Sequence, residues 1–460
     1  MRRSGIAALV ALTGASLALA GCSGSGGGSA SGASGGGSGD AKTLTIAYQK
    51  TSSFHQLDDV LQTVKTDFES ANPGVTVNLQ PIEAEQDQYF TKLALMNGSK
   101  DTAPDVIYED TFQVMSDAAA GYLLPIDDEL SSWSDWSQFS DAAKKAGLGV
   151  DGKTYGVSMG TDTRGIYYNK SIFEQAGLPD DWQPSSWDDI LSAARTIKEK
   201  VPDVSPLSIM SGKAAGEATT MQGFEMLLYG TDSTLYDGDT QKWITGSKGF
   251  TDALSFYKTV TDEGLGLPLD VALDANVQSR VSTDLIPNGK VAMAIDGSWL
   301  PGGWISGDNA WADWDKTLGF AKMPTQDGGG DKYTSMSGGW LLSVGAQAKD
   351  PELAMKFIEL ALNKDNSLTY DTTNSQIAVR DDVAKDDAYL SYNASFEFFS
   401  SLVPYTHFRP ATPDYSQISS NIQAAVESVV TGDATPEQAA STYDEGLTTI
   451  VGSDGTEAEK

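Results

Sequence analysis

Thr43-Leu44-Thr45-Ile46-Ala47-Tyr48 alternates its side chains as a strand does. Leu57, Val60, Leu61, Val64 and Phe68 then recur at helical spacing, and Asn72-Pro73-Gly74 stops that helix. Val75-Thr76-Val77-Asn78-Leu79 alternates again, a helical stretch follows through Tyr89, Leu93 and Met96, and Val106-Ile107-Tyr108 closes the series. Strands joined by helices predict a parallel sheet with right-handed crossovers. Ligands of such sheets bind beyond the carboxyl ends of the strands. Here those ends are Tyr48-Gln49-Lys50 and Tyr108-Glu109-Asp110.

A second series begins near Gly156. Gly165-Ile166-Tyr167-Tyr168 reads as a strand and Ser171 to Ala176 as a short helix closed by Gly177 and Pro179. Ser186 and Asp189 open the next helix, with Trp187, Ile190, Leu191 and Ala194 on one face. Leu207 to Met210 and Val291 to Ile295 read as strands, and helices are expected at 351–363, 418–430 and 436–450. The expected fold is α/β with two lobes, each a mostly parallel sheet flanked by helices, around a cleft.

The N-terminus carries a different message. Arg2 and Arg3 precede an uncharged run from Ile6 to Ala20, the pattern of a secretory signal peptide. The only cysteine, Cys22, follows Leu19-Ala20-Gly21, which resembles the lipobox of bacterial lipoproteins, where the thiol is acylated. Ser23 to Gly39 holds only Ser, Gly and Ala, a flexible leash reaching about 20–25 Å. No later stretch is apolar enough to span a bilayer, so the expected membrane contact is the lipid alone. Loss of Arg2 and Arg3 on cleavage takes the net charge from −32 to −34, which excludes tracking of a nucleic-acid backbone. With no second cysteine, internal disulfides and a thiolate metal site are excluded, and with only His55 and His407 imidazole-ligated zinc is nearly so.

Several motifs, in this order and spacing, carry a resemblance that covers nearly everything after the linker. They are Phe68-Glu69-Ser70-Ala71-Asn72-Pro73-Gly74-Val75, Ala103-Pro104-Asp105-Val106, and Gly152-Lys153-Thr154-Tyr155-Gly156 with Tyr168-Asn169-Lys170. Met293-Ala294-Ile295-Asp296-Gly297-Ser298-Trp299, Ser337-Gly338-Gly339-Trp340 and the helix after Asp350-Pro351-Glu352 complete the set. The chain resembles the extracellular solute-binding lipoproteins of ABC sugar importers, in their maltose-binding-protein-like, oligosaccharide-binding class. The resemblance implies two lobes that the chain crosses more than once. The expected layout is 1–21 signal peptide, 22–40 lipidated Cys22 and linker, 41–161 first lobe, and 162–333 second lobe. A return to the first lobe at 334–375 and C-terminal helices of the second lobe at 376–460 follow.

Sugar recognition asks for carboxylates or guanidinium forks on hydroxyls and aromatic faces under pyranose rings. Asp110 and Asp162 match positions from which family members' acids reach the sugar, with Glu109 and Arg164 as neighbours. Arg164 either takes a hydroxyl or holds Asp162 by a salt bridge. Tyr48 ends the first strand, and Glu217 starts a second-lobe helix where a similar loop approaches the ligand. Trp299 and Trp304 flank Leu300-Pro301-Gly302-Gly303, and Trp340 follows two glycines, so all three are expected to stack on ligand. Trp311 and Trp314 read as packing. Two departures remove maltodextrin specificity from what the resemblance implies. Thr111 stands where an arginine is found, and the helix near Ser419 lacks an aromatic that Tyr415 or Arg409 is left to replace.

Gly156-Val157-Ser158-Met159-Gly160 fits a nucleophile-elbow pattern, yet Thr161 to Arg164 and a strand follow where a helix is required. A surface glycoside hydrolase using two of Glu109, Asp110, Asp162 and Asp296, about 5–10 Å apart, is the enzyme alternative. A sugar sensor for a membrane kinase is the non-enzyme one. The main expectation is a non-enzymatic monomer, without cofactor, on the extracellular face of the cell membrane. It would capture a di- to tetrasaccharide by hinge closure and deliver it to the permease's transmembrane subunits.

Overall fold

In the computed structural model, which describes residues 42–460 except 52, 53 and the side chain of Asp87, the opening stretch folds as its pattern predicts. β1 (Lys42–Lys50), α1 (Gln56–Ala71), β2 (Val75–Glu83), α2 (Gln86–Asn97) and β3 (Val106–Asp110) follow in turn. β1 pairs in parallel with both β2 and β3. α1 turns Leu57, Val60, Leu61, Val64 and Phe68 inward, since residues three and four apart share a helix face. The signal peptide, Cys22 and the linker lie outside the described residues.

β4 (Gly156–Thr161) and a late strand, Gly339–Val344, complete a five-stranded sheet, the late strand lying between β3 and β4 and antiparallel to both. A second sheet holds, in order, Leu318–Ala321, β5 (Arg164–Asn169), Val291–Gly297 and β6 (Ser205–Ser208). Only β6 and Val291–Gly297 are parallel there. The two lobes are present, but their sheets are mixed where mostly parallel ones were expected. A parallel pair needs a crossover of about a dozen residues or more, and strands that return from distant sequence enter in either direction. Each sheet has its own core. Ile46, Leu57, Val106, Leu342 and Phe357 cluster around the first, and Ile166, Phe173, Trp187, Phe250 and Ile418 around the second.

The chain passes between the sheets at Asp162, between β4 and β5, and again at Gly338. Tyr333–Ser337 pairs with Thr406–Phe408 and not with the first sheet, so the return lies later than 334. Backbone bridges of Thr161 with Ile377 and of Phe139 with Arg380 keep the chain on the first lobe past 376. Buried Arg380 fastens that segment by donating to the Leu362 carbonyl at 2.6 Å and to Asp135 at 3.0 Å. These two crossings, which a third follows after Arg380, are laced together. Ser337 Oγ donates to the Asp162 carbonyl at 2.7 Å, Thr161 Oγ1 to the Gly338 carbonyl at 2.7 Å, and the Gly338 N–H to Asp162 Oδ1 at 2.9 Å. Gly339 has φ +144°, and a Cβ there would run into the Gly160 carbonyl oxygen, so only glycine fits.

Candidate functional site

The ends of β1 and β3, the crossings and the loop after Val291–Gly297 border one cavity of about 1120 Å³, its open mouth included.

Trp340 forms one aromatic wall. It pairs with Asp110 across the strands, so both point to the same face. Its ring lies flat on Tyr108, with centroids 4.3 Å apart and 2° between planes. The Tyr108 hydroxyl is in turn 3.0 Å from that of Tyr370. Trp299 forms a second wall from the other lobe. Gly297 makes room for it, because a Cβ there would collide with the indole, and the Arg164 guanidinium sits 4.7 Å from its ring centroid. Both tryptophans are half-buried, and both border the cavity.

Charged groups lie between the walls. Arg164 is ion-paired with Asp162 and also donates to the Met336 carbonyl at 3.2 Å, so it holds Asp162 in place. Arg409 donates to Asp110 Oδ1 at 2.6 Å and Thr111 Oγ1 at 3.1 Å, and its other nitrogen is 3.4 Å from Glu217 Oε1. Glu217 further accepts from Tyr415 at 2.8 Å and Ser419 at 2.6 Å. Burial raises the pKa of Asp110, against the pull of Arg409, and does the same to Glu217. For Arg409 itself burial acts downward, but Asp110 and Glu217 outweigh it and hold the guanidinium charged. Asp296 accepts from the Gly297 N–H at 2.8 Å, and burial pushes its pKa up to about 7.

Carboxamides were missed by the sequence reading. Gln49, Gln56 and Gln86 border the cavity from the first lobe, Gln222 and Gln278 from the second. Asn374 and Gln376 border it beyond the first-lobe helix Lys364–Thr373, each with a side-chain oxygen that is buried and without a partner. An amide offers both donor and acceptor, as a hydroxyl requires. Glutamine is ordinary on any surface, so nothing in the sequence singled these out.

Four expected residues sit elsewhere or act otherwise. Tyr48 is fully buried, with its hydroxyl on Asp58; strand alternation gives the cavity Gln49 instead. Glu109 points away from Asp110 for the same reason, into a dry environment where burial, with Asp117 and Asp110 near, raises its pKa well above the carboxylate range. Trp304 borders the cavity, yet it is 2% exposed, donates from Nε1 to the Ser282 carbonyl at 2.7 Å and packs on Tyr167 and Trp311. It is wall, not platform. Tyr415 offers no aromatic face, because it is buried edge-on to Phe112. Trp311 and Trp314 do pack around Trp304, as read from their spacing. Ser158 lies inside β4 with its hydroxyl on the Gly160 carbonyl, which is no nucleophile elbow.

The lobes also touch directly. Besides the Arg409–Asp110 pair, Gln56 Nε2 donates to the Gly302 carbonyl at 2.7 Å and Ser279 Oγ to Glu85 at 2.6 Å.

A family model described as bacterial extracellular solute-binding protein matches residues 51–367. A putative binding protein of Brucella abortus is 26% identical over 379 residues, 81% of this chain and 85% of its own. The galactooligosaccharide-binding protein of Bacillus subtilis is 25% identical over 351 residues, 75% of this chain and 76% of its own. Among solved structures, an ABC transporter solute-binding protein of Thermotoga lettingae bound with α-D-tagatose has a TM-score of 0.74 at 26% identity. It covers 89% of this chain and 99% of its own. Among the described residues no helix is long and apolar enough to cross a membrane.

Proposed function

This chain belongs to the bacterial extracellular solute-binding family, and we propose that it is the capture subunit of an ABC importer for a neutral di- to tetrasaccharide. The observation that carries the reading is the pair of half-buried tryptophans, Trp340 on one lobe and Trp299 on the other, facing one cavity. A pyranose has a flat apolar face and a polar rim. Indoles take the first, and Asp110, Glu217, Gln376 and Asn374 take the second. Acids outnumber the two arginines at the cavity, which disfavours anionic sugars. The galactooligosaccharide-binding relative supports an oligosaccharide.

Capture proceeds by closure. The sugar touches both tryptophans only when the lobes are together, and opening breaks the Gln56–Gly302, Ser279–Glu85 and Arg409–Asp110 contacts. Shifting a hinge from mostly open to mostly closed takes about 5.5 kcal/mol of differential binding, within reach of two stacked rings and their hydrogen bonds. The closed form then docks on the permease's transmembrane subunits. An acylated Cys22 and its leash keep the monomer beside that permease on the outer face of the membrane.

Tryptophan-fluorescence titration with maltotriose, galactotriose, xylotriose and cellotriose tests the reading. Saturable quenching or enhancement with at least one sugar, without release of reducing ends, supports capture. Silence with every sugar contradicts the two-tryptophan site, and sustained release of reducing ends makes the protein a hydrolase. Deleting the gene should abolish uptake of the bound sugar. Intact uptake with lost induction would make it a sensor.

A further inference from the structure

Behind the cavity wall lies a second acid that the binding scheme does not use. Glu225 opens the short helix Glu225–Leu228, directly after a π-helical turn, Thr219–Phe224, that leads from Glu217. It is fully buried, and its Oε2 has no partner. Tyr415 Oη lies 2.8 Å from Glu217 Oε1 and 3.1 Å from Glu225 Oε1. A phenol has one proton to give. It satisfies one of these contacts; the other would set two lone pairs against each other in a dry site unless a carboxyl supplies the proton.

The neighbours decide which carboxyl that is. Glu217 receives Ser419 Oγ and faces Arg409, donors that favour its charged form. Among the described residues no cation is bonded to Glu225. The groups around it are Glu217, Arg409 and Tyr415, with Arg164 on β5, Tyr229 just past its own helix and Tyr443 on the helix Pro436–Val451. Ionising Glu225 would set a third buried carboxylate, after Asp110 and Glu217, against the one guanidinium of Arg409.

We propose that Glu225 is a neutral carboxylic acid whose O–H donates to Tyr415, so that a buried proton positions Glu217 and Arg409 in the cleft. The relay runs Glu225 to Tyr415 to Glu217, each group donating to the next. Glu225 is thus a positioning residue, not a ligand contact. Burial, reinforced by the Glu217 charge, pushes its pKa up to about 8, so the relay holds at neutral pH and fails in alkali. Asp296, bordering the cavity, titrates lower, at about 7, and its limb comes first.

The test begins without ligand, so its outcome is independent of the sugar reading on which the positioning role rests. Infrared difference spectra of the wild-type protein taken below and above about pH 8 should show a protonated-carboxyl band that disappears in alkali. Glu225→Gln, an uncharged isostere that still donates, should lack that band while Glu109, whose pKa burial raises well above the carboxylate range, keeps its own. Absence of a Glu225-dependent band overturns the neutral acid. The second arm measures affinity for the tightest-binding of the four trisaccharides as a function of pH. Wild-type affinity should drop about tenfold on crossing to alkali, the worth of one lost hydrogen bond. Glu225→Gln should hold a level profile there, and Glu225→Ala should bind about tenfold more weakly at neutral pH. An alkaline drop that persists in Glu225→Gln, or a level wild-type profile, overturns the positioning role. Circular dichroism checks that each variant folds, and if Glu225→Ala does not, the Gln profile alone decides.

Discussion

Trp340 and Trp304 are both indoles at the same cavity, and their neighbours give them different work. Trp340 is braced from behind by Tyr108, whereas Trp304 spends its N–H on Ser282 and packs its ring among Tyr167 and Trp314. Trp340→Ala and Trp299→Ala should therefore each weaken sugar binding by roughly 10- to 100-fold in calorimetric titration, with little change in melting temperature. Trp304→Ala should show the reverse first, losing about 3–5 kcal/mol of stability in denaturant melts. Arg409→Met leaves Asp110 and Glu217 buried without their cation. It should cost about 3–5 kcal/mol by the same melts, and Arg409→Lys should recover only part because the fork is lost. Residue types were legible in the sequence: Asp110, Asp162, Arg164, Glu217, Trp299, Trp340 and Arg409 all border the cavity. Trp304 and Tyr415 failed through burial against their neighbours, and the other two errors came from a one-residue phase. Tyr48 against Gln49 and Glu109 against Asp110 differ only in which side of a strand faces the cleft, and strands buried on both faces show no apolar alternation to fix it.

Among the elements, the early helices were readable because their signals are local. α1 announces itself by apolar spacing and ends at Asn72-Pro73-Gly74, and the helix Trp187–Lys200 starts where Ser186 Oγ accepts the Asp189 N–H at 3.4 Å. The strand Gly339–Val344 carries no mark of its antiparallel slot between β3 and β4, because its partners lie far away in sequence. The same long-range dependence moved the crossing to Gly338 and kept Ile377–Arg380 on the first lobe. Gly339→Ala tests the crossing. A side chain at φ +144° meets the Gly160 carbonyl, so the variant should lose roughly 1–3 kcal/mol in melts and bind sugar more weakly. An unchanged melt would mean that the crossing relaxes freely.

For the molecule as a whole, buried acids tie stability to pH. Glu225 rises from 4.5 to about 8 and Asp296 from 3.8 to about 7. The native state therefore keeps protons that the unfolded chain has released. The cost is absent below the unfolded values, grows as pH rises, and is complete above the folded ones. Between about pH 5 and 7 each group should remove about 1.4 kcal/mol of stability per pH unit. Melting temperature should fall across that range in the wild type and fall less steeply in the Glu225→Gln, Asp296→Asn double variant. Closure is the other whole-molecule property, and it depends on a sugar filling the cleft between the lobes. A crystal structure of the protein with its tightest-binding trisaccharide decides whether it does. Sugar rings should lie against Trp340 and Trp299, with hydroxyls on Asp110, Glu217 or Gln376 and both lobes in contact. A sugar bound outside this cavity, or touching one lobe only, contradicts it.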